Sequence, residues 1–225
     1  MKNEQIVFNK VPNGMPQDDT FKYEETDVQE PKNNEVQLET LYISVDPYMR
    51  GRMSNADSYV QPFKKGEPFN GHIVAKVIQS NAKDYNEHID KVPSTDVPLD
   101  LYLSVLGMPG QTAYHGLLDI GQPKEGETVV VSAASGAVGS VVGQIAKIKG
   151  CRVVGIAGGD KKVNYLTKEL NFDAGVNYKK DDFAQTLADA VPDGIDVYYE
   201  NVGGEIGDEV FKHLNTHARI PVCGA

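Results

Sequence analysis

The chain has 225 residues, of which 40% are hydrophobic and 24% are charged, and its formal net charge is −10. These values are typical of a globular protein with one large or two modest domains. The acidic balance, with no Lys/Arg run longer than two residues, argues against a nucleic-acid-binding or anionic-membrane-binding surface. The first five residues lack the apolar core of a signal peptide and no stretch approaches the roughly 20 apolar residues of a membrane span, so we expect neither feature. We therefore expect a cytoplasmic protein.

The amino-terminal part of the chain is rich in strand patterns. Residues 35–39 alternate between apolar and polar side chains, and the apolar positions change phase at Thr40 before continuing over residues 41–45. The change of phase predicts a β-bulge or a strand that is buried on both faces. With a second strand over residues 71–79 and frequent proline and glycine, this part predicts a small antiparallel barrel.

From about Gly107 onward, strand and helix patterns alternate. We expect strands over residues 128–131, 152–157, 174–178, 195–199 and 219–223. We expect helices over 112–120 and 138–148, helices capped by Asp160 and Asp182, and a helix carrying Ile206, Val210 and Leu214. Alternation of this kind predicts an α/β fold with a doubly wound parallel sheet that binds its ligand at the carboxyl ends of the strands.

A glycine turn follows the first strand of this sheet. It reads Ala134-Ser135-Gly136-Ala137-Val138-Gly139, a G-x-G-x-x-G pattern with alanine in the first place. In such turns the second glycine lets the backbone approach a pyrophosphate, and the third lets the helix pack closely on the strand. The turn predicts a dinucleotide site, although a simple tight turn has the same pattern.

The residues after the second strand bear on the choice of cofactor. An NAD-preferring fold places an acidic residue there to bind the ribose 2′-hydroxyl. This chain has Gly158-Gly159-Asp160-Lys161-Lys162, whose lysines suit a 2′-phosphate, so we expect NADPH. Lys161 and Lys162 could instead be an exposed helix start, and Asp160 could be a cap or could favour NAD.

The possible metal ligands are few and scattered. A catalytic zinc needs about three protein ligands and a structural zinc four. Cys151 and Cys223 are the only cysteines, both in apolar sequence, and His72 follows a glycine without obvious partners. We expect no metal and two buried free thiols. A structural role is expected for the remaining histidines outside the amino-terminal part, His115, His213 and His217.

Four separated motifs resemble a known family. They are residues 45–53 (Val-Asp-Pro-Tyr-Met-Arg-Gly-Arg-Met), residues 106–114 (Leu-Gly-Met-Pro-Gly-Gln-Thr-Ala-Tyr), the glycine turn, and residues 200–204 (Glu-Asn-Val-Gly-Gly). Together they resemble the zinc-independent medium-chain dehydrogenase/reductase family, in the branch of leukotriene B4 12-hydroxydehydrogenase, the prostaglandin reductases, the plant double-bond reductases and the bacterial curcumin reductases.

The resemblance implies a GroES-like domain over residues 1–106 and an NADP-binding Rossmann domain over residues 107–225. It implies NADPH-dependent reduction of the carbon-carbon double bond of enals and enones without a metal. A quinone reductase of the same superfamily and a non-catalytic NADPH-binding fragment are the alternatives. The implied cofactor residues are Gly136, Ala137, Val138, Gly139, Gly158, Lys162, Tyr178, Asn201, Cys223, Gly224 and Ala225, and Tyr48 is the implied substrate residue.

The chain also departs from the family pattern. The family continues past residue 225 to a tyrosine implicated in the site and to strands that build a homodimer, so no catalytic residue is assigned in this chain. About twenty further family residues would fall between Ile89 and Asp90. We expect either that the sequence omits these residues or that the chain is an incomplete form, with a sheet and a barrel that are truncated.

Overall fold

The computed structural model describes residues 2–54, 60–83 and 89–224. The chain divides into two compact units, Met1–Leu103 and Ser104–Ala225.

The first unit contains two antiparallel strand pairs. Strand β1 (Lys2–Phe8) pairs with β2 (Phe21–Asp27), and β3 (Val36–Ile43) pairs with β4 (Ile73–Ser80). The register of the second pair shifts between Thr40 and Tyr42, which agrees with the first of the two predicted alternatives, a bulge; the second, a strand buried on both faces, is wrong, because residues 39–43 of β3 are exposed. A second shift, between Gln37 and Leu38, was not foreseen. The unit also has a short helix, α1 (Tyr48–Arg52), and 3-10 turns at Asp18–Thr20 and Leu99–Leu103.

The antiparallel pairing in this unit agrees with the prediction, but the described strands do not close a barrel. They form two separate two-stranded sheets. A small core joins Phe8, Met53 and Phe63, with the Arg52 guanidinium lying 3.9 Å from the centre of the Phe63 ring. Because a two-stranded ribbon has little surface to bury, this core is held largely by aromatic rings that meet edge to face.

The second unit is built on a five-stranded parallel sheet. Its strands are β5 (Thr128–Val131), β6 (Arg152–Ala157), β7 (Ala174–Asn177), β8 (Ile195–Tyr199) and β9 (Leu214–Arg219). They lie in the order β7-β6-β5-β8-β9. The chain moves outward on one side from β5 and returns to the other side at β8, so the strand order reverses between these two strands. In doubly wound sheets this reversal marks the ligand-binding crevice.

Helices cover both faces of the sheet. They are α2 (Met108–His115), a π-helix (Gly116–Gly121), α3 (Ala137–Ile148), α4 (Asp160–Lys168), α5 (Phe183–Ala190) and α6 (Gly204–Phe211). Val129 and Val131 enter one core and Val130 enters the other, and all three are fully buried. A strand that is covered on both faces needs an unbroken apolar run, which explains the β-branched sequence of β5.

Two helix predictions need correction at their starts. The helix expected over residues 112–120 begins at Met108 and continues into the π-helix from Gly116. Asp160 is the first residue of α4 and not its cap, because Gly159 occupies the cap position with φ of 120°. A side chain rarely adopts that backbone angle, so the chain places glycine there.

The last predicted helix and strand are wrong in their bounds. Helix α6 ends at Phe211, and Leu214 opens strand β9, which ends at Arg219 instead of beginning there. Leu214 continues the helical spacing of Ile206 and Val210, but pairing with β8 outweighs this local pattern. Pro221 has no N–H to contribute to a ladder, and Val222 makes only an isolated bridge with Glu200.

Candidate cofactor-binding site

The glycine turn joins β5 to α3 through a tight backbone loop. Ala133 has φ of 46°, the left-handed region that side chains disfavour. The Gly136 N–H donates to the Ala133 carbonyl at 2.9 Å, and the Gly136 carbonyl accepts the first helical bond from Ser140 at 3.0 Å. Gly136 thereby becomes the cap residue of α3. The N–H groups of the following first turn have no partner within the helix, and such groups attract anions.

Gly139 lets α3 pack against the turn. A Cβ atom at this position would lie 2.6 Å from the Ala133 oxygen and 2.8 Å from the Ala134 Cα. Carbon atoms do not approach backbone this closely, so only glycine fits without a shift of the helix. The close packing expected of Gly139 is therefore present.

A cavity of about 230 Å³ opens at the carboxyl ends of the strands beside this turn. It is lined by Ala133, Ser135, Gly136, Ala157, Gly158, Lys162, Tyr178, Val202 and Ile206. The cavity brings together Gly136, Gly158, Lys162 and Tyr178, four residues that the sequence implied for cofactor binding. Ala137 and Val138 follow Gly136 at the start of α3, and Asn201 immediately precedes Val202.

The lining of the cavity combines a cation with a phenol. Tyr178 follows β7, and a Cβ on Gly158 would lie 2.9 Å from the Tyr178 ring and 3.0 Å from its hydroxyl oxygen. Glycine at 158 therefore makes room for this ring. Lys162 lies in the first turn of α4 and lines the same cavity. An ammonium group and a hydroxyl group that flank a small cavity suit a phosphate.

A buried carboxylate, Glu200, ties the central strands together at this edge. It is 4% exposed and follows β8 directly. Its Oε1 accepts hydrogen bonds from Ser132 Oγ at 2.8 Å and from the Val202 N–H at 2.7 Å, and its Oε2 accepts one from the Tyr198 hydroxyl at 2.6 Å. Sequence reasoning missed this network. The available signal was an acid that directly follows a strand whose last three residues are Val197, Tyr198 and Tyr199, all fully buried.

Asn201 is fixed by the same network. Its side-chain amide donates to the Ser132 carbonyl at 2.9 Å, and its backbone N–H donates to Ser132 Oγ at 2.8 Å. Burial opposes ionisation of Glu200, but the bonds from Tyr198, from the backbone and from Ser132 outweigh it and lower the pKa of Glu200 below its ordinary value. The carboxylate is therefore charged at neutral pH and holds the first residues after both strands in place.

The chain after β9 returns to the same edge. The N–H groups of Cys223 and Gly224 donate to the Glu200 carbonyl at 2.9 Å and 3.2 Å. Cys223 is exposed, which corrects the expectation of two buried thiols, and its thiol donates to the Tyr199 hydroxyl at 3.0 Å. Only Cys151 is buried, and burial raises the pKa of its thiol. Ala225 lies outside the described residues.

Tyr48 belongs to the first unit. It opens α1, and its ring centre lies 6.4 Å from that of His72 at an angle of 70°. The Nδ1 atom of His72 is 4.0 Å from the buried carboxylate of Asp46. The residues that the structure describes contain no group of three or more His, Cys, Asp or Glu side chains placed to hold a metal ion.

The parallel sheet, the glycine turn at the point where strand order reverses, and the adjoining cavity are the features of a dinucleotide-binding protein. Two family models match the chain: "N-terminal domain of oxidoreductase" over residues 4–88 and "Zinc-binding dehydrogenase" over residues 137–225. Within the described ranges, no helix is long and apolar enough to cross a membrane.

Individual relatives are also similar. The NADPH-dependent curcumin reductase of Escherichia coli is 50% identical over 99% of this chain and 70% of its own length. The tobacco 2-alkenal reductase (NADP(+)-dependent) is 39% identical over 100% of this chain and 73% of its own. The crystal structure of CurA from Vibrio vulnificus in complex with NADPH superimposes with a TM-score of 0.93 at 45% identity, covering 99% of this chain and 72% of that one.

The chain belongs to the zinc-independent branch of the medium-chain dehydrogenase/reductase family. These relatives confirm the predicted class, an NADP-dependent oxidoreductase, and the predicted α/β fold. The predicted cofactor, NADPH, is the one named for the curcumin reductase and bound in the CurA structure.

Proposed function

We propose that this chain binds NADPH in the cavity beside the glycine turn. The observation that carries the proposal is the meeting of Gly136, Gly158, Lys162 and Tyr178 in one cavity at the reversal of strand order. The residues fit the cofactor, since the residue that caps α3, a lysine and a phenol all line the cavity.

Each end of the cofactor has its own set of residues in this proposal. The backbone at Gly136, Ala137, Val138 and Gly139 holds the pyrophosphate, whose charge the first turn of α3 stabilises. The 2′-phosphate is bound at the other end of the cavity, by Gly158, Lys162 and Tyr178. Asn201 lies beside the nicotinamide half, with Cys223, Gly224 and Ala225 along the cofactor.

The proposed reaction is reduction of the carbon-carbon double bond of an α,β-unsaturated aldehyde or ketone. Bound NADPH supplies a hydride for the β-carbon of such a substrate. The name of the tobacco relative supports this class, because a 2-alkenal has a double bond conjugated with an aldehyde. Within this chain, Glu200 and Ser132 hold Asn201 in place, and Tyr48 lines the substrate site.

In the proposed division of labour, residues 1–106 form the substrate domain and residues 107–225 the NADP-binding domain. We further propose that the protein is cytoplasmic, acts on a small molecule, binds neither nucleic acid nor membrane, and forms a homodimer in its family's full-length form. Sedimentation equilibrium of the full-length form over a range of protein concentrations tests the dimer, and a monomer throughout would contradict it.

Two measurements test the function in order. The first is NADPH binding, followed by the change in nicotinamide fluorescence on titration with protein. The second is loss of NADPH absorbance on adding a simple enone, with a quinone as competing substrate. Lack of NADPH binding would overturn the whole proposal. Binding without turnover would favour a non-catalytic NADPH-binding protein, and a strong preference for the quinone would favour a quinone reductase.

A further inference from the structure

Asp160 occupies the position where NAD-preferring folds place an acid for the ribose 2′-hydroxyl. It directly follows Gly158 and Gly159 at the end of β6, and it opens α4. The residues that line the cavity include Gly158 and Lys162 but not Asp160. An unpaired carboxylate so close to the proposed phosphate site would repel NADPH, so what holds Asp160 in place matters for cofactor choice.

Two side chains hold the Asp160 carboxylate from the neighbouring strand end. Its Oδ1 accepts a hydrogen bond from the Asn177 side-chain amide at 2.9 Å and lies 2.9 Å from the Lys180 ammonium. Asn177 is the last residue of β7, and Lys180 follows three residues later. The carboxylate is therefore drawn toward the segment after β7.

The orientation of Asn177 is decided by the backbone. Its Oδ1 accepts two N–H groups, from Gly159 at 3.0 Å and from Lys179 at 3.1 Å. An amide oxygen that takes two donors leaves its NH₂ group on the opposite side, where Asp160 lies. The backbone N–H groups of Gly159 and Lys179 therefore fix the direction in which the Asn177 NH₂ group points toward Asp160.

The ion pair by itself is weak. The side chains of Asp160 and Lys180 are 65% and 53% exposed, and exposed pairs contribute little to stability. The hydrogen bond from the Asn177 side-chain amide and the amino terminus of α4 also stabilise the charged form of the Asp160 carboxylate. Hydrogen bonds from Asn177 and then Lys180 lower the pKa of Asp160, so it keeps its charge and these partners at neutral pH.

We propose that Asn177 and Lys180 are specificity-determining positioning residues, which hold the Asp160 carboxylate away from the cofactor ribose and thereby favour NADPH over NADH. The inference rests on the proposed NADPH site at Gly158, Lys162 and Tyr178. A released carboxylate would repel a 2′-phosphate, whereas it would accept a hydrogen bond from a 2′-hydroxyl.

A double-mutant cycle on cofactor binding tests the proposal. The dissociation constants of NADPH and NADH are measured by fluorescence titration for the wild type, Lys180→Met, Asp160→Asn and the double variant. We expect Lys180→Met to raise the NADPH:NADH ratio of dissociation constants about two- to fivefold, the size typical of an exposed charge pair. In the Asp160→Asn background the same substitution is expected to leave the ratio unchanged.

Lys168→Met is the matched control, because it removes the same charge from an exposed position at the other end of α4. Asn177→Ala is a second variant that should move the ratio in the same direction as Lys180→Met. An unchanged ratio in both variants would overturn the inference. So would an equal effect of Lys180→Met in both backgrounds, which would indicate direct contact with the phosphate. Failure of the wild type to bind NADPH would instead overturn the proposed function.

Discussion

Ser132, at the end of β5, donates a 2.8 Å hydrogen bond to the buried carboxylate of Glu200, at the end of β8. These two strands are the ones between which the strand order reverses. The bond therefore links the ends of the two central strands at the edge where the cofactor is proposed to bind. Its acceptor is a charged carboxylate that is shielded from water. Charge-assisted bonds of this kind are stronger than neutral ones.

Glu200→Gln should destabilise the second unit. The amide keeps one acceptor oxygen and places an NH₂ group at the other position, so it faces either the Tyr198 hydroxyl or the Ser132 and Val202 donors with a donor. We expect a loss of about 2 kcal/mol in the free energy of unfolding, in the range for buried bonds to a charged group. Urea unfolding measures it. Glu205→Gln, at an exposed position on α6, is the control, and an equal effect of both substitutions would contradict a special role for Glu200.

The Glu200 carboxylate also makes the free energy of unfolding depend on pH. The pKa of Glu200 is lowered in the folded protein, since its hydrogen bonds outweigh the burial that opposes ionisation. A group of this kind contributes stability that is fully present above its unfolded pKa of about 4.3 and is lost as pH falls through the folded value. The wild type should therefore lose more stability than Glu200→Gln on acidification below about pH 4.5. Parallel slopes of unfolding free energy against pH would refute this expectation.

Lys162→Ala should weaken the binding of NADPH far more than the binding of NADH. Lys162 lines the cavity beside Tyr178, and in the proposed complex its ammonium group pairs with the 2′-phosphate that only NADPH carries. Loss of one charge-assisted bond is worth roughly a 10- to 100-fold rise in the dissociation constant. Titration of both cofactors measures the effect, with Lys168→Ala as the control. An equal loss for NADPH and NADH would mean that Lys162 does not read the phosphate.

Gly139→Ala should lower the stability of the second unit and also weaken the binding of NADPH. The added methyl group would collide with the Ala133 oxygen and the Ala134 Cα, so α3 must move away from the turn. Overpacking of this kind costs about 1–3 kcal/mol. Thermal unfolding and cofactor titration are the measurements. Ala137→Ser adds one heavy atom at an exposed position of the same helix, and it should leave the melting temperature nearly unchanged.

The two thiols should differ in reactivity. Cys223 is exposed, whereas Cys151 is buried with a raised pKa and its thiol donates to the Lys124 carbonyl. Because the thiolate is the reactive form, we expect one thiol to react with a disulfide reagent in the native protein and the second to react only after unfolding. Mass spectrometry identifies the labelled cysteine. Native labelling of Cys151 would contradict its burial.

Much of the second unit could be predicted because its local and long-range signals agree. The strands β6 and β8 have the predicted bounds, and β5 is both β-branched and followed by the glycine turn. The β-branched run of β5 is unbroken because both faces of this strand are covered. Four of the implied cofactor residues also share one cavity, since parallel strands end at one edge of the sheet.

Other features depend on partners that sequence patterns do not reveal. The strands β1 and β2 are mostly exposed and carry charged residues, so their alternation is weak. The bounds of β9 follow from pairing with β8, which a helical spacing through Leu214 obscured. The bond from Ser132 to Glu200 spans 68 positions of the chain and the bond from Asn177 to Asp160 spans 17, so a local pattern does not show which partners meet.

The left-handed backbone at Ala133 has a consequence for the kinetics of cofactor exchange. The turn takes its shape from contacts within the chain, namely the hydrogen bond from the Gly136 N–H to the Ala133 carbonyl and the close approach of Gly139 to the turn. The left-handed conformation of Ala133 costs about 1–2 kcal/mol, because this residue has a Cβ atom. A loop whose shape is set by the fold loses little conformational freedom when a nucleotide arrives. In the proposed complex, the arrival of NADPH at this turn therefore requires diffusion and docking but little ordering of the loop.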